Sequence, residues 1–174
     1  IVKYTVRKLI EYENSSAIDI QKNCMNSAYS RPGFEAIGLN FTIFDNGEFL
    51  DIDEGDLLYD KEVEYYDEII TDIKTKIHNE MSGNNEYGRK ESVNSRRFIY
   101  TSDTCISLAH FLLRDEALDC KFFLRSSNAK DTLYYDINFL KHMAKVVYEE
   151  LDCSGTFCRM NFVLNSAHVV MNNG

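Results

Sequence analysis

A chain of 174 residues with 44% hydrophobic and 13% aromatic residues is long enough to bury a substantial core, and its composition argues against disorder. Its formal net charge of −9 argues against wholesale binding to duplex nucleic acid, which requires a basic face, whereas a local group of arginines in an acidic chain suits a small anion. No run of eighteen apolar residues exists and the start, Ile1-Val2-Lys3-Tyr4, has no signal-like apolar stretch, so no membrane span is expected and a cytoplasmic location is. Five cysteines, at positions 24, 105, 120, 153 and 158, form an odd set without metal-ligand spacing, consistent with reduced thiols. With one proline and eight glycines there is no linker-like stretch, and residues 1–174 are expected to form a single domain.

Residues 2–12 mix β-branched and helical signals. Ser16 to Met25 reads as a short helix. Phe34 to Phe44 alternates apolar positions, and Asp45-Asn46-Gly47 then suggests a turn into a second strand at Glu48 to Ile52. Asp51-Ile52-Asp53-Glu54-Gly55-Asp56 lacks the closing glutamate of a calcium loop and reads as a solvated turn. From Glu62 to Glu80, Val63, Tyr66, Ile69, Ile70, Ile73 and Ile77 recur at three-and-four spacing, which predicts an amphipathic helix stopped by Ser82-Gly83-Asn84-Asn85. Two apolar-rich runs between Thr104 and Asn128 flank the polar stretch Arg114 to Asp119, as in an antiparallel hairpin. Asp136 to Leu151 predicts another helix, with Phe139, Leu140, Met143, Val146, Val147 and Leu151 on its apolar side. Gly155 marks a turn before a last strand over Phe157 to Val170. The order of elements is α+β, with a mixed or mostly antiparallel sheet and packed helices.

The hairpin carries the chemistry. Cys105 stands at one end and Arg125, with Ser126 and Asn128 beside it, at the other, so pairing would bring a thiol next to a guanidinium and polar side chains. That combination suits a nucleophile beside an anion site, since the thiolate is the attacking form and positive charge favours it. Cys105 followed twenty residues later by Arg125-Ser126-Ser127-Asn128, preceded by Ser95-Arg96-Arg97-Phe98 and by Tyr87-Gly88, and followed by Asn165-Ser166-Ala167-His168, resembles the thymidylate synthases and their relatives, the pyrimidine nucleotide hydroxymethylases. The resemblance is fullest from about Tyr87 to Asn172. It implies a thymidylate-synthase-like α+β fold and a homodimer acting on a pyrimidine nucleoside monophosphate, with 5,10-methylenetetrahydrofolate as one-carbon donor.

Residue by residue, the resemblance makes Cys105 the nucleophile that adds to C6 of the pyrimidine, which activates C5. Arg96 and Arg97 become the pair that reaches across the dimer to the partner's substrate phosphate. Arg125 and Ser126 hold the phosphate within the subunit, and Arg31, in Ser30-Arg31-Pro32-Gly33, matches a further phosphate arginine. Asn128 takes a base-side polar slot, Tyr87 belongs to the Tyr-Gly turn, and His168 reaches the sugar. Asp136 falls where thymidylate synthases carry the asparagine that reads uracil and where cytidylate hydroxymethylases carry an aspartate, which favours dCMP over dUMP. A carboxylate accepts from the 4-amino group of cytosine but has no proton to offer O4 of uracil. A helix N-cap is the alternative role for Asp136, and Asn138 is an alternative uracil reader. The family's catalytic glutamate has four candidates, Glu35, Glu54, Glu64 and Glu68. Thr104 and Ile106 flank the cysteine where the family has Pro and His, and Val170 stands where it has Tyr. A thymidylate synthase proper, acting on dUMP, and a nucleotide-binding relative without turnover therefore stay open beside the hydroxymethylase.

Overall fold

Which face of each strand is apolar decides where the helices lie. The computed structural model describes residues 10–13, 17–45, 63–154 and 158–170. Among them the chain order is β1 (Ile10–Glu13), α1 (Ala17–Tyr29), a 3-10 turn (Pro32–Phe34), β2 (Glu35–Asp45), α2 (Val63–Ser82), β3 (Ile99–Thr101), β4 (Ile106–Arg114), β5 (Ala117–Leu124), β6 (Ser127–Asn128), α3 (Leu133–Glu150) and β7 (Cys158–His168). The expected strand at Glu48 to Ile52, the Asp51–Asp56 turn and Glu54 lie outside the described residues.

The strands form one mixed sheet in the order β1-β2-β7-β5-β4-β3, with the short β6 also pairing β7. β4 and β5 are the expected hairpin, closed by Asp115 and Glu116 at φ 50° and 64° between the paired residues Arg114 and Ala117. Two successive positive φ values match the right-handed twist of the flanking strands. The last strand does not continue this meander. β7 inserts between β2 and β5, antiparallel to the first and parallel to the second.

Side chains alternate between sheet faces. On one face the register lines up Phe41, Phe162, Phe122 and Ala109 across β2, β7, β5 and β4, all buried. Phe41 stacks on Phe162 with ring centroids 4.9 Å apart, and Phe122 lies 5.1 Å from Phe162 and 5.8 Å from Phe111. Helices cover this face: α1 packs on β2 and β7, α3 on β5 and β6, and α1 and α2 both pack on α3. Helix α2 turns Tyr66, Ile69, Ile73 and Ile77 inward, the stripe its sequence spacing predicts. The opposite face carries the in-register rows Leu108–Phe123–Val163 and His110–Lys121–Asn161, whose side chains are half-buried apart from the exposed Lys121.

Phe162 sits at the centre of the aromatic row and is fully buried. Phe162→Ala is expected to lower unfolding stability by about 3–5 kcal/mol in urea titration, the usual range for truncating a buried phenylalanine. A loss below about 1 kcal/mol, in the range of an ordinary surface substitution, would contradict this core assignment.

Candidate functional site

The open end of the β4–β5 hairpin is where backbone pairing places the thiol. The Arg125 N–H donates to the Cys105 carbonyl at 2.8 Å, and the Ser166 N–H donates to the Arg125 carbonyl at 3.2 Å. The ladder thus runs on past the formal strand ends and sets Cys105, Arg125 and Ser166 side by side from three strands. Cys105 is exposed, and its Sγ lies 3.7 Å from Ser126 Oγ. The other thiols differ. Cys24, Cys120 and Cys158 are buried, and burial pushes Cys24 up to about 12 and Cys153 up to about 11.

Two hydroxyls act on the residues flanking this thiol. Tyr65 Oη accepts the Ile106 N–H at 3.1 Å and pairs with Thr104 Oγ1 at 2.8 Å. Ser102 Oγ donates to Thr104 Oγ1 and accepts the Thr104 N–H, so the approach to Cys105 is tied down residue by residue. Burial raises the Tyr65 hydroxyl above its ordinary range, opposed by its bonds to Thr104 and Ile106. The hydroxyl therefore keeps its proton at neutral pH. Tyr65 carried no signal in the sequence, because one more tyrosine beside an apolar helical stripe looks like packing.

Asp136 lies behind the hairpin end. It is 7% exposed, and its two carboxylate oxygens accept from Tyr66 Oη at 2.8 Å and from Ser127 Oγ at 2.9 Å. Tyr66 in turn stacks on Phe139, 4.1 Å between centroids. The N-cap of α3 is Thr132, and the Asp136 N–H already donates to the Thr132 carbonyl within the first helical turn. The N-cap role weighed for Asp136 is thereby excluded: the helix begins three residues earlier than its apolar periodicity suggests. Asn138 is also buried.

Around the end of β7, His168 pairs with Glu35 of β2 and with Asn128 of β6. Ser166 Oγ donates to the Glu35 carboxylate. The turn that carries Arg31 is fastened to this edge by the Val169 N–H, which donates to the Phe34 carbonyl at 2.9 Å. Phe34 sits at φ 52°, outside the regions a bulky side chain prefers, and is held there by that bond and an edge contact with Tyr29 at 5.8 Å. Arg31 itself is exposed. The Asn128 side chain is occupied locally: its Oδ1 accepts from the Lys130 and Asp131 N–H groups and its Nδ2 donates to Asp131.

Arg96, Arg97 and Tyr87 fall in a second place. Arg96 and Arg97 line a cleft of about 500 Å³ with Arg89, Glu91, Asn94, Ser95 and Arg114, and neither Cys105 nor Arg125 lines it. The Arg97 guanidinium lies 3.8 Å over the Tyr87 ring. Glu91 bridges Arg89 and Arg97, and the hydrogen bond from Arg89 is the main cause of its lowered pKa. His110 Nε2 meets the Arg96 carbonyl at 2.9 Å, which anchors this loop to β4. Among the described glutamate candidates, Glu35, Glu64 and Glu68 are all exposed, and Glu35 accepts from Ser166 of β7.

The fold is that of a thymidylate-synthase-like protein. The chain is similar to the crystal structure of thymidylate synthase from T4 phage, with a TM-score of 0.52 and 14% identity over 89% of this chain and 76% of that one. No family model and no curated protein matches the sequence. No helix among the described residues is long and apolar enough to cross a membrane.

Proposed function

We propose that this chain is a one-carbon transferase of the thymidylate synthase type, acting on a pyrimidine nucleoside monophosphate and favouring dCMP. The observation that carries the reading is the exposed Cys105 thiol held beside Ser126 and the Arg125 backbone at the open end of the hairpin. Cys105 adds to C6 of the base, the C5–C6 π electrons move towards C5, and C5 takes a proton from water. Loss of the original C5 hydrogen and expulsion of the thiolate restore the base, so the C5 hydrogen exchanges with solvent. Arg125, Ser126 and Arg31 supply phosphate contacts and His168 the sugar contact, while the Asn128 side chain is engaged by the Asn128–Asp131 turn. The family's donor is 5,10-methylenetetrahydrofolate. The cleft of about 500 Å³ is lined by four arginines and a carboxylate, a poor match to its neutral pterin.

Base choice rests on Asp136. Its two oxygens each accept from a hydroxyl, so the surrounding groups are donors that keep the side chain a pure acceptor. An acceptor suits the 4-amino group of cytosine. Uracil would set O4 against it, and an unpaired buried polar group costs about 1–3 kcal/mol, roughly a ten- to hundredfold preference for dCMP. A second reading, nucleotide binding without turnover, draws on the flank of Cys105, where Tyr65 and Thr104 supply hydroxyls and Glu64 and Glu68 lie exposed.

A homodimer completes the reading. Arg96 and Arg97 line a cleft apart from Cys105, which fits a role at the partner's phosphate, and the half-buried row Leu108–Phe123–Val163 offers an apolar strip on the sheet face opposite the helices. Sedimentation at micromolar concentration is expected to give twice the 20.2 kDa chain mass. A single species at the chain mass would rule out the shared site.

Release of tritium from C5-labelled dCMP and dUMP tests the activity, and Cys105→Ser is expected to abolish it. Release that persists in Cys105→Ser would refute the nucleophile, and binding without any release would favour the second reading. In calorimetric titration Asp136→Asn is expected to erode or reverse the dCMP preference and to leave phosphate affinity nearly intact. Equal binding of both bases by the unmodified chain would overturn the base-reader role.

A further inference from the structure

The peptide unit that follows Cys105 is gripped from both sides. Its carbonyl accepts from the Arg125 N–H at 2.8 Å, and its N–H, that of Ile106, donates to Tyr65 Oη at 3.1 Å. The first of these bonds comes with the hairpin. The second does not, because it spans 41 residues and depends on one hydroxyl of α2. Between Ile106 and Leu108 the β4–β5 register shifts, so the ladder is irregular where the thiol-bearing residue enters the strand. The Arg125 N–H holds the carbonyl side of the Cys105–Ile106 peptide, and Tyr65 Oη holds its N–H side.

We infer that Tyr65 is a positioning residue for Cys105: its hydroxyl fixes the Cys105–Ile106 peptide plane, and with it the direction of the thiol towards Ser126. The inference rests on the reading of Cys105 as nucleophile. Thr104 Oγ1 bonds the same hydroxyl at 2.8 Å, so the residues before and after the cysteine meet at one oxygen atom. The next residue of the helix, Tyr66, donates to Asp136. One helical turn therefore touches both the thiol's flanks and the proposed base reader, and α2 sets their separation. The partners of the Tyr65 hydroxyl are Thr104 and the Ile106 backbone, both beside the cysteine in sequence.

Tyr65→Phe removes the hydroxyl and keeps the ring. For C5 tritium release, kcat is expected to fall about ten- to a hundredfold while KM changes less than about threefold, because misdirecting the nucleophile impairs reaction more than binding. Exchange of the Ile106 amide, followed by NMR, is expected to quicken about five- to tenfold in this variant, the effect of losing one hydrogen bond, with the Ala109 and Phe111 amides unchanged. Thr104→Val leaves Ile106 its acceptor and is expected to keep most of kcat. An unchanged Ile106 exchange rate in folded Tyr65→Phe, or a KM rise that matches the kcat loss, would overturn the inference. The amide measurement needs no turnover, so it separates failure of the positioning role from failure of the proposed activity. Should Tyr65→Phe not fold, the unmodified chain decides: Ile106 should be as protected as the paired amides of β4, and loop-like exchange there would overturn the proposal.

Discussion

The backbone ladder at the open end of the β4–β5 hairpin is the constraint on which the rest of the site depends. The Arg125 N–H bonds the Cys105 carbonyl and the Ser166 N–H bonds the Arg125 carbonyl, so three strands are pinned in one line where their side chains emerge. Strand side chains alternate, and a one-residue slip would send the Phe41–Phe162–Phe122 row out of the core. The burial of that row thus protects the register that keeps Cys105 against Ser126. Core and site are linked through pairing rather than through direct contact.

Charge is arranged at two separate places on an acidic chain. At the hairpin end Arg125 is exposed and bonds Cys105 through its backbone, while Arg96 and Arg97 share a cleft with Arg89 and Arg114. In that cleft Glu91 already answers two of the guanidiniums, and the Arg97 guanidinium lies over the Tyr87 ring. A guanidinium held by a ring face and one carboxylate is oriented in advance. Behind the hairpin, Asp136 is handled differently: it is buried, and each of its oxygens accepts from a hydroxyl.

The residues that could be read from sequence are those whose role follows from local pattern. The α2 stripe, the hairpin bracketed by Cys105 and Arg125, and the last strand all lie close to their expected positions, because periodicity and turn residues act over a few neighbours. The partnership of β7 was not legible. Nothing in Cys158–His168 states that it pairs antiparallel with β2 and parallel with β5, since both faces of a strand look the same whichever way its neighbours run. Asp136 shows the limit at a single residue. A cap and a base reader were both open to it, and the start of α3 at Leu133, with Thr132 at the N-cap position, removes the cap. Tyr65 was hidden for the opposite reason, because the partner that gives its hydroxyl a purpose is 41 residues away. Asn128 was expected to serve a ligand, yet the Asn128–Asp131 turn engages its side chain.

The central claim is that Cys105 attacks C6 of a pyrimidine nucleotide, and a covalent adduct would report it most directly. A 5-nitro pyrimidine deoxynucleotide stabilises charge at C5 by itself, so addition of the thiolate can stop at that stage without any one-carbon donor. Intact-mass measurement after incubation with the 5-nitro analogue of dCMP is predicted to show one whole nucleotide added per chain, on the peptide that contains Cys105, and no adduct in Cys105→Ser. An unchanged mass at saturating nucleotide, or an adduct on a different cysteine, would contradict the account.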